Sequence, residues 1–153
     1  MKTKYAWMIG LLMVACWCNG VAAAEEKSEF GLGLVLGEPS GLNGQFLWSE
    51  RSAIDITAAW SWRDWFFTSA DFQMYDYILD SPREWKWYWG GGAYLTLPKN
   101  DQGTFGVRVP LGIKYHIPHS PVDLWIEADP ALQLIKSTEA ELQGGFGVTF
   151  WLK

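Results

Sequence analysis

The feature that most restricts the fold is an alternation of apolar with small or polar residues, which continues from Phe30 almost to the last residue. Side chains of a β-strand point alternately to its two faces, so this period of two predicts strands with one apolar and one small or polar face. Clusters of turn-forming residues, such as 38–41 and 80–83, divide the alternation. The resulting eight segments begin near Phe30, Leu42, Ile54, Trp65, Trp85, Phe105, Val122 and Glu141.

The length of these segments indicates a membrane environment. A tilted strand that crosses a bilayer needs about ten residues, and most of the segments have roughly that length. An even number of antiparallel strands can close into an up-and-down barrel, and closure leaves no exposed sheet edge. The sequence shows no helical periodicity and no linker. It therefore predicts an all-β fold, an eight-stranded antiparallel up-and-down transmembrane β-barrel.

The composition of the two faces indicates which one lies outside. In the sixth segment, for example, Phe105, Val107 and Val109 alternate with Gly106 and Arg108. The apolar face is bulky and almost free of charge, as lipid contact requires. The other face is mostly small, which fits the narrow interior of an eight-stranded barrel. A soluble periplasmic barrel that binds an apolar ligand is the alternative, and it would place the apolar face inside.

The N-terminal segment has the organisation of a secretory signal. Two lysines precede an apolar stretch over residues 5–18, and a run of small residues precedes Glu25. The apolar stretch is too short for a membrane-spanning helix but suits a cleaved signal peptide. We therefore predict a signal peptide over residues 1–24 and a barrel domain over residues 25–153, exported to the bacterial outer membrane.

Cysteine content and charge exclude several classes of function. Both cysteines, Cys16 and Cys18, lie within the predicted signal, so the mature chain has no thiol for a disulfide or a metal site. Lipid attachment at Cys16 is the alternative form of processing, although Met13 is an unusual residue three positions before it. The formal charge, −5 for the whole chain and −7 without the two signal lysines, excludes the basic surface of a nucleic-acid-binding protein.

Aromatic residues cluster near both ends of the predicted strands. Aromatic belts lie at the headgroup levels of a bilayer, on either side of the apolar band. The predicted periplasmic belt consists of Trp48, Tyr77, Trp85 and Trp87. The predicted outer belt consists of Trp60, Trp62 and Trp65. The last segment, residues 145–152, also resembles the terminal strand that the outer-membrane assembly machinery recognises, although Lys153 replaces the usual final aromatic residue.

Charged residues of both signs occupy the predicted inward face, and closure of the barrel would bring them together. They are Asp55, Asp71, Lys86, Arg108, Lys114, Glu127, Asp129 and Glu141. Buried charges are costly unless they pair. Because eight strands leave an interior filled by side chains, we predict an ion-pair plug of the lumen in preference to a proton or ion path.

Two histidines raise the alternative of an outer-membrane enzyme that modifies lipids. Such a site needs a nucleophile, a base and an orienting acid within hydrogen-bonding distance. His116 and His119 both fall at one predicted turn on the periplasmic side, and no such triad can be assembled from the inward face. We therefore expect a non-enzymatic protein without catalytic, cofactor-binding or metal-binding residues.

Two prolines fall inside predicted strands. Pro110 interrupts the sixth segment and Pro130 the seventh. A proline has no N–H for the hydrogen-bond ladder, and a closed barrel has no edge strand to accommodate it. We predict a β-bulge at each position.

Several stretches are similar to a family of small, functionally uncharacterised bacterial outer-membrane β-barrel proteins. They comprise residues 31–42, 105–113 and 121–127, together with Pro130 and the glycine-rich last strand. The resemblance implies an eight-stranded architecture like that of the OmpX and OmpA barrels, and it implies no established activity. We accordingly expect a monomeric integral outer-membrane protein with a structural or interactive role. Its expected partners are membrane lipid and, during biogenesis, the assembly machinery.

Overall fold

The computed structural model describes residues 30–36, 40–61, 65–78, 84–99, 102–135 and 137–152. The predicted signal peptide, Trp62 and Lys153 lie outside the described residues. The described chain consists of strands and their connections. The strands are β1 (Phe30–Leu36), β2 (Ser40–Ser49), β3 (Ser52–Ser61), β4 (Trp65–Tyr77), β5 (Trp85–Pro98), β6 (Thr104–Arg108), β7 (Leu111–His116), β8 (Val122–Gln133) and β9 (Ala140–Leu152).

The strands close into a ring. Consecutive strands pair antiparallel, except that β6 and β7 do not pair with each other. β1 also pairs with β9, from Phe30↔Leu152 to Leu36↔Phe146. Both β6 and β7 lie between β5 and β8, so they are two parts of one interrupted strand. The barrel therefore has the eight-membered antiparallel ring that the alternation predicted.

The interruption of the sixth barrel strand lies at Val109 and Pro110 and contains no bulge. Arg108 pairs with Gly92 and Leu111 with Trp89, so equal numbers of residues separate these pairs on the two strands. The prediction of a bulge at Pro110 is wrong, because proline here removes a hydrogen bond without adding a residue. The register around Pro130 is equally regular, from Val122↔Phe150 to Leu132↔Ala140 on β9.

The two prolines instead weaken the two ladders that flank the sixth barrel strand, one on each side of it. The Gly90 amide donates to the Pro110 carbonyl over 3.0 Å, and the Val109 amide donates to the Pro130 carbonyl over 2.9 Å. Neither proline can donate in return, so each pair keeps one of the two hydrogen bonds that such a pair forms. The register shift in this sheet lies elsewhere, at Trp48 between Leu47 and Ser49 of β2.

The outer surface carries the large apolar side chains and the lumen carries the polar ones. Ile126 and Phe146 are among the exposed apolar side chains, whereas Asp71, Gln45 and Thr149 are almost completely buried. The predicted orientation of the faces is therefore confirmed. The alternative of a soluble barrel around an apolar ligand is wrong, because its lumen would have to be apolar.

Glycines on the inward face give space to aromatic rings on the neighbouring strand. Tyr88 of β5 pairs with Gly112 of β7, and Tyr94 of β5 pairs with Gly106 of β6. A Cβ atom at either glycine would overlap the ring of its partner tyrosine. The absence of a side chain thus lets the ring lie across the adjacent strand, an arrangement that also protects the glycine in other β-sheets.

Two rims bound the barrel. The N-terminal rim holds the start of β1 and the end of β9, together with the turns that follow β2, β4 and β7. The opposite rim holds the end of β1 and the start of β9, and the connections that follow β3, β5 and β8. The side chains that fill the lumen lie between these rims.

Candidate functional site

The lumen contains two groups of hydrogen-bonded side chains, and Arg108 is the centre of the first. Its guanidinium holds Asp71 in a bidentate pair, with Nε–Oδ1 at 2.9 Å and Nη2–Oδ2 at 2.5 Å. Nη1 donates to Asp129 Oδ2 at 2.9 Å, and Nη2 lies 3.6 Å from Glu127 Oε1. One planar cation therefore joins carboxylates from β4 and β8, as the rigid fork of arginine allows.

Lys114 is the centre of the second group and crosses the lumen. Its Nζ donates to Gln45 Oε1 at 2.5 Å, although β7 and β2 lie on opposite sides of the ring. The same ammonium lies 3.3 Å from the Tyr75 hydroxyl and 4.9 Å from the centre of the Tyr75 ring. The rings of Tyr88 and Trp151 also face it, at 5.7 and 5.6 Å. Amide, hydroxyl and aromatic groups thus surround a buried cation.

Asp55 extends the second group to β2 and β3. Asn43 Nδ2 donates to Asp55 Oδ2 at 2.9 Å, and Gln45 Nε2 donates to the same oxygen at 3.3 Å. Thr57 Oγ1 donates to Asp55 Oδ1 at 3.2 Å. The carboxylate therefore has three donors, which offset part of the cost of its removal from water.

Glu127 connects the two groups. Its Oε2 accepts from the Tyr88 hydroxyl at 2.8 Å and from Gln73 Nε2 at 3.3 Å, while its Oε1 faces Arg108. Gln73 also binds Gln45 at 3.0 Å. We call the joined set of Asn43, Gln45, Asp55, Asp71, Gln73, Tyr75, Tyr88, Arg108, Lys114, Glu127 and Asp129 the lumenal network.

The lumenal network separates two cavities. The cavity at the N-terminal rim encloses about 760 Å³, and the cavity at the opposite rim about 610 Å³. The void between them, lined by residues such as Gln45, Lys114 and Glu127, encloses only about 10 Å³. That is about the smallest volume that holds one water molecule.

The N-terminal-rim cavity contains both histidines. His116 Nδ1 lies 2.7 Å from Asp123 Oδ1, and Trp151 Nε1 donates to Asp123 Oδ2, also at 2.7 Å. His119 lines the same cavity and has a positive φ of 63°. An acid and an imidazole are thus in contact, but no hydroxyl nucleophile is hydrogen-bonded to His116 among the described residues.

The structure places the predicted lumenal residues at three depths. Asp55, Asp71, Arg108, Lys114, Glu127 and Asp129 belong to the lumenal network. Lys86 lies at the N-terminal rim, 5.3 Å from the Tyr77 ring centre. Glu141 lies at the opposite rim, where its Oε2 is 3.3 Å from the Tyr94 hydroxyl.

Sequence reasoning missed the uncharged members of the network. The side chains that cross the lumen include Gln45, Gln73, Tyr75 and Tyr88, all on the face predicted to be inward. The missed charged residue is Asp123, which holds His116 and Trp151. Inward parity was the available signal for all of these residues. A search limited to charged side chains misses the uncharged ones, but it does not account for Asp123.

Two members of the predicted aromatic belts face the lumen. Trp65 packs against the buried cluster that includes Phe67 and Tyr94, and Tyr77 lines the N-terminal-rim cavity with Lys86. The predicted outward orientation of these two side chains is wrong, because proximity to a rim does not determine on which side of the sheet a side chain lies. Trp48, Trp60, Trp85 and Trp87 are exposed, and their place in aromatic belts stays a prediction.

Within the described segments, no group of three histidine, cysteine, aspartate or glutamate side chains is arranged to hold a metal ion. No helix in the described part of the chain is both long enough and apolar enough to span a membrane.

Two solved structures are similar to this chain. The N-terminal β-barrel domain of Pseudomonas aeruginosa OprF has a TM-score of 0.61 and 14% identity, over 82% of this chain and 96% of that one. Neisserial surface protein A (NspA) has a TM-score of 0.45 and 17% identity, over 80% of this chain and 93% of that one. No family model and no curated protein matches the sequence. The chain therefore has the fold of a small outer-membrane β-barrel.

Proposed function

We propose that this outer-membrane-type β-barrel is a non-enzymatic integral protein of the bacterial outer membrane with a non-conducting lumen. Its role is structural or interactive: the wall anchors the protein in lipid, and the lumenal network holds the wall together from within. The fold, the apolar outer surface and the predicted export signal all support this location.

The observation that carries the proposal is the contact of Lys114 with Gln45 across the full width of the lumen. Steady passage of a hydrated ion would require this pair to separate, leaving the ammonium without its shortest hydrogen bond. The void beside the pair accommodates about one water molecule, which is far less than a continuous column.

Planar-bilayer recordings test the lumen. We expect the refolded protein to give no steady conductance at moderate voltage, and a porin refolded in the same way to give regular steps. Lys114→Ala should increase the conductance. Lys86→Ala removes an equal charge at the N-terminal rim and should leave the conductance unchanged. Steady conductance of the unmutated protein would contradict the proposal.

Fractionation tests the location, and lipid analysis tests the absence of enzymatic activity. The mature protein should appear in the outer-membrane fraction with an intact mass that begins at Glu25. Recovery in soluble periplasm, or a mass that corresponds to acylated Cys16, would contradict the predicted processing. Lipid A mass spectra should be identical with and without the gene, and a mass difference restored by complementation would establish the enzyme alternative.

A further inference from the structure

The last strand, β9, is longer than β1, the neighbour with which it closes the ring. The pairing of β1 with β9 ends at Leu36↔Phe146, whereas β9 begins at Ala140. In the same register Leu142 would face Ser40, but Ser40 already belongs to β2. β1 therefore ends before the level of Leu142, and no described strand pairs with residues 140–143 on that side. We call residues 140–143 the free edge.

The free edge carries backbone groups that no neighbouring strand uses. The Gln133 amide of β8 donates to the Glu139 carbonyl, and the register of β8 with β9 is regular beyond it. Successive residues of an antiparallel strand direct their hydrogen-bonding groups to opposite sides. Odd-numbered residues of β9 therefore point to β8, whereas Ala140 and Leu142 direct their N–H and C=O groups to the open side. Both residues are exposed, and an edge of this kind is a template for another strand.

The free edge lies at the boundary of the proposed membrane span. A tilted strand crosses a bilayer with about 9–11 residues, and residues 144–152 of β9 already provide that length. Unpaired backbone groups do not occur in contact with hydrocarbon, so the free edge belongs at the opposite rim, where water or a partner can bind it. This position rests on the proposed outer-membrane function, whereas the edge itself rests on the fold alone.

The side chains of the free edge indicate the chemistry of its partner. Leu142 points outward and is 77% exposed. Glu141 points inward and, among the described residues, accepts only from neutral groups, the Tyr94 hydroxyl and the Gln143 amide. Residues 137–145 contain two glutamates and no basic residue. Because apolar pairs and opposite charges stabilise neighbouring strands, an added strand should alternate apolar and basic residues.

We propose that the free edge binds an extended segment of a partner protein, with alternating basic and apolar residues, as an added β-strand. The N–H and C=O groups of Leu142 pair with an apolar residue of the segment, and Glu141 lies beside a basic one. A second copy of this chain fits less well. In the same membrane it would have the same up-down orientation, so its β9 could pair only in parallel, which is the less stable arrangement.

The experiment uses the protein refolded in zwitterionic micelles and a capped synthetic peptide of alternating lysine and valine. Without peptide, amide hydrogen exchange should be fast at Leu142 and slow at Gln143, because only Gln143 binds β8. Added peptide should slow the exchange at Leu142 in a saturable way. The same peptide with N-methylated valines keeps its charge but lacks the donors, so it should not protect Leu142. Slow exchange at Leu142 without peptide, or equal effects of both peptides, would overturn the proposal.

Variants separate the backbone from the side chains. Leu142→Pro removes the N–H on the open side and leaves the β8 ladder intact, since proline is tolerated there on an edge strand. It should raise the dissociation constant of the peptide about tenfold, as the loss of about one hydrogen bond does. Leu142→Ala keeps the N–H and should have a smaller effect. An unchanged dissociation constant for folded Leu142→Pro would overturn the proposal.

Charge variants test the basic residues of the segment. Glu141→Gln should raise the dissociation constant about threefold, the effect of losing an exposed charge pair. Glu50→Gln removes an equal charge at the N-terminal rim and should have no effect. If Leu142→Pro does not fold, the N-methylated peptide and Glu141→Gln still decide. Equal effects of the two glutamate variants would overturn the proposal, as would a dimer of this chain that Leu142→Pro dissociates. None of these outcomes changes the fractionation or conductance results, so the two proposals fail separately.

Discussion

Lys114 on β7 and Gln45 on β2 belong to opposite walls of the barrel, yet the lysine Nζ donates a hydrogen bond to the glutamine Oε1 at 2.5 Å. Four strand-to-strand steps separate them along the wall by either route. A single side-chain hydrogen bond therefore joins two strands that the sheet connects only through three intervening strands. Because Tyr75 and Tyr88 enclose the same ammonium, the contact is also shielded from water.

The cross-lumen contact predicts a non-additive pair of substitutions. Gln45→Leu leaves the buried ammonium without its shortest acceptor, so the free energy of unfolding should fall by about 1.5–3 kcal/mol, the usual range for a hydrogen bond to a charged group. The double variant with Lys114→Met removes both partners and should lose less than the sum of the two single losses. Urea unfolding of protein refolded in vesicles measures each value. Strictly additive losses would show that the two side chains do not stabilise each other.

Arg108 predicts a second coupled pair. Arg108→Ala leaves Asp71 and Asp129 buried without their cation, a change that costs about 3–5 kcal/mol for a fully buried pair. Asp71→Ala in the same chain should relieve part of the loss. Arg51 is exposed at the turn after β2, so Arg51→Ala is the matched control and should change the unfolding free energy little. A loss for Arg108→Ala no larger than the control would contradict the role of Arg108 in the network.

The outward face predicts a depth-dependent penalty. Leu111 is exposed in the middle of the sixth barrel strand, and Leu152 is exposed at the N-terminal rim. Leu111→Arg should cost about 2–4 kcal/mol and Leu152→Arg about 0–1 kcal/mol, because the penalty for a lipid-facing arginine falls towards the interface. Vesicle refolding with urea titration compares them. Equal penalties at the two positions would contradict the proposed membrane orientation.

Glycine packing in the lumen predicts a contrast between two small substitutions. Gly112→Ala places a methyl group where the Tyr88 ring lies. The ring must then move, and the hydrogen bond from the Tyr88 hydroxyl to Glu127 Oε2 should lengthen. Overpacking of this kind costs about 1–3 kcal/mol. Gly91→Ala on β5 meets no atom within 4 Å and should leave stability unchanged or slightly raised. The contrast fails if both variants unfold at the same urea concentration.

Much of the architecture could be predicted from local sequence pattern, because the side chains of a strand alternate with a period of two at every residue. Apolar Phe105 and Val107 beside small Gly106 already indicate which face meets lipid. The misassigned aromatic residues had the same signal: Tyr77 shares the parity of Tyr75 and Trp65 that of Phe67, so both belong to the inward face. Parity, and not nearness to a rim, determines the side of the sheet on which a side chain lies.

The strands, their two faces and the closed ring can be inferred from local sequence, since they follow from the period of two, the strand length and the need to close an edge. The contacts between lumenal side chains cannot be inferred in this way, because they depend on the three-dimensional arrangement of the strands. The stagger of the strands around the ring brings Lys114 to Gln45 and Arg108 to Asp71. The local sequence pattern does not tell at which level along the barrel axis the residues of two separate strands lie. The tertiary structure likewise decided that Pro110 keeps register, because both neighbouring strands hold the chain on either side of the missing hydrogen bond.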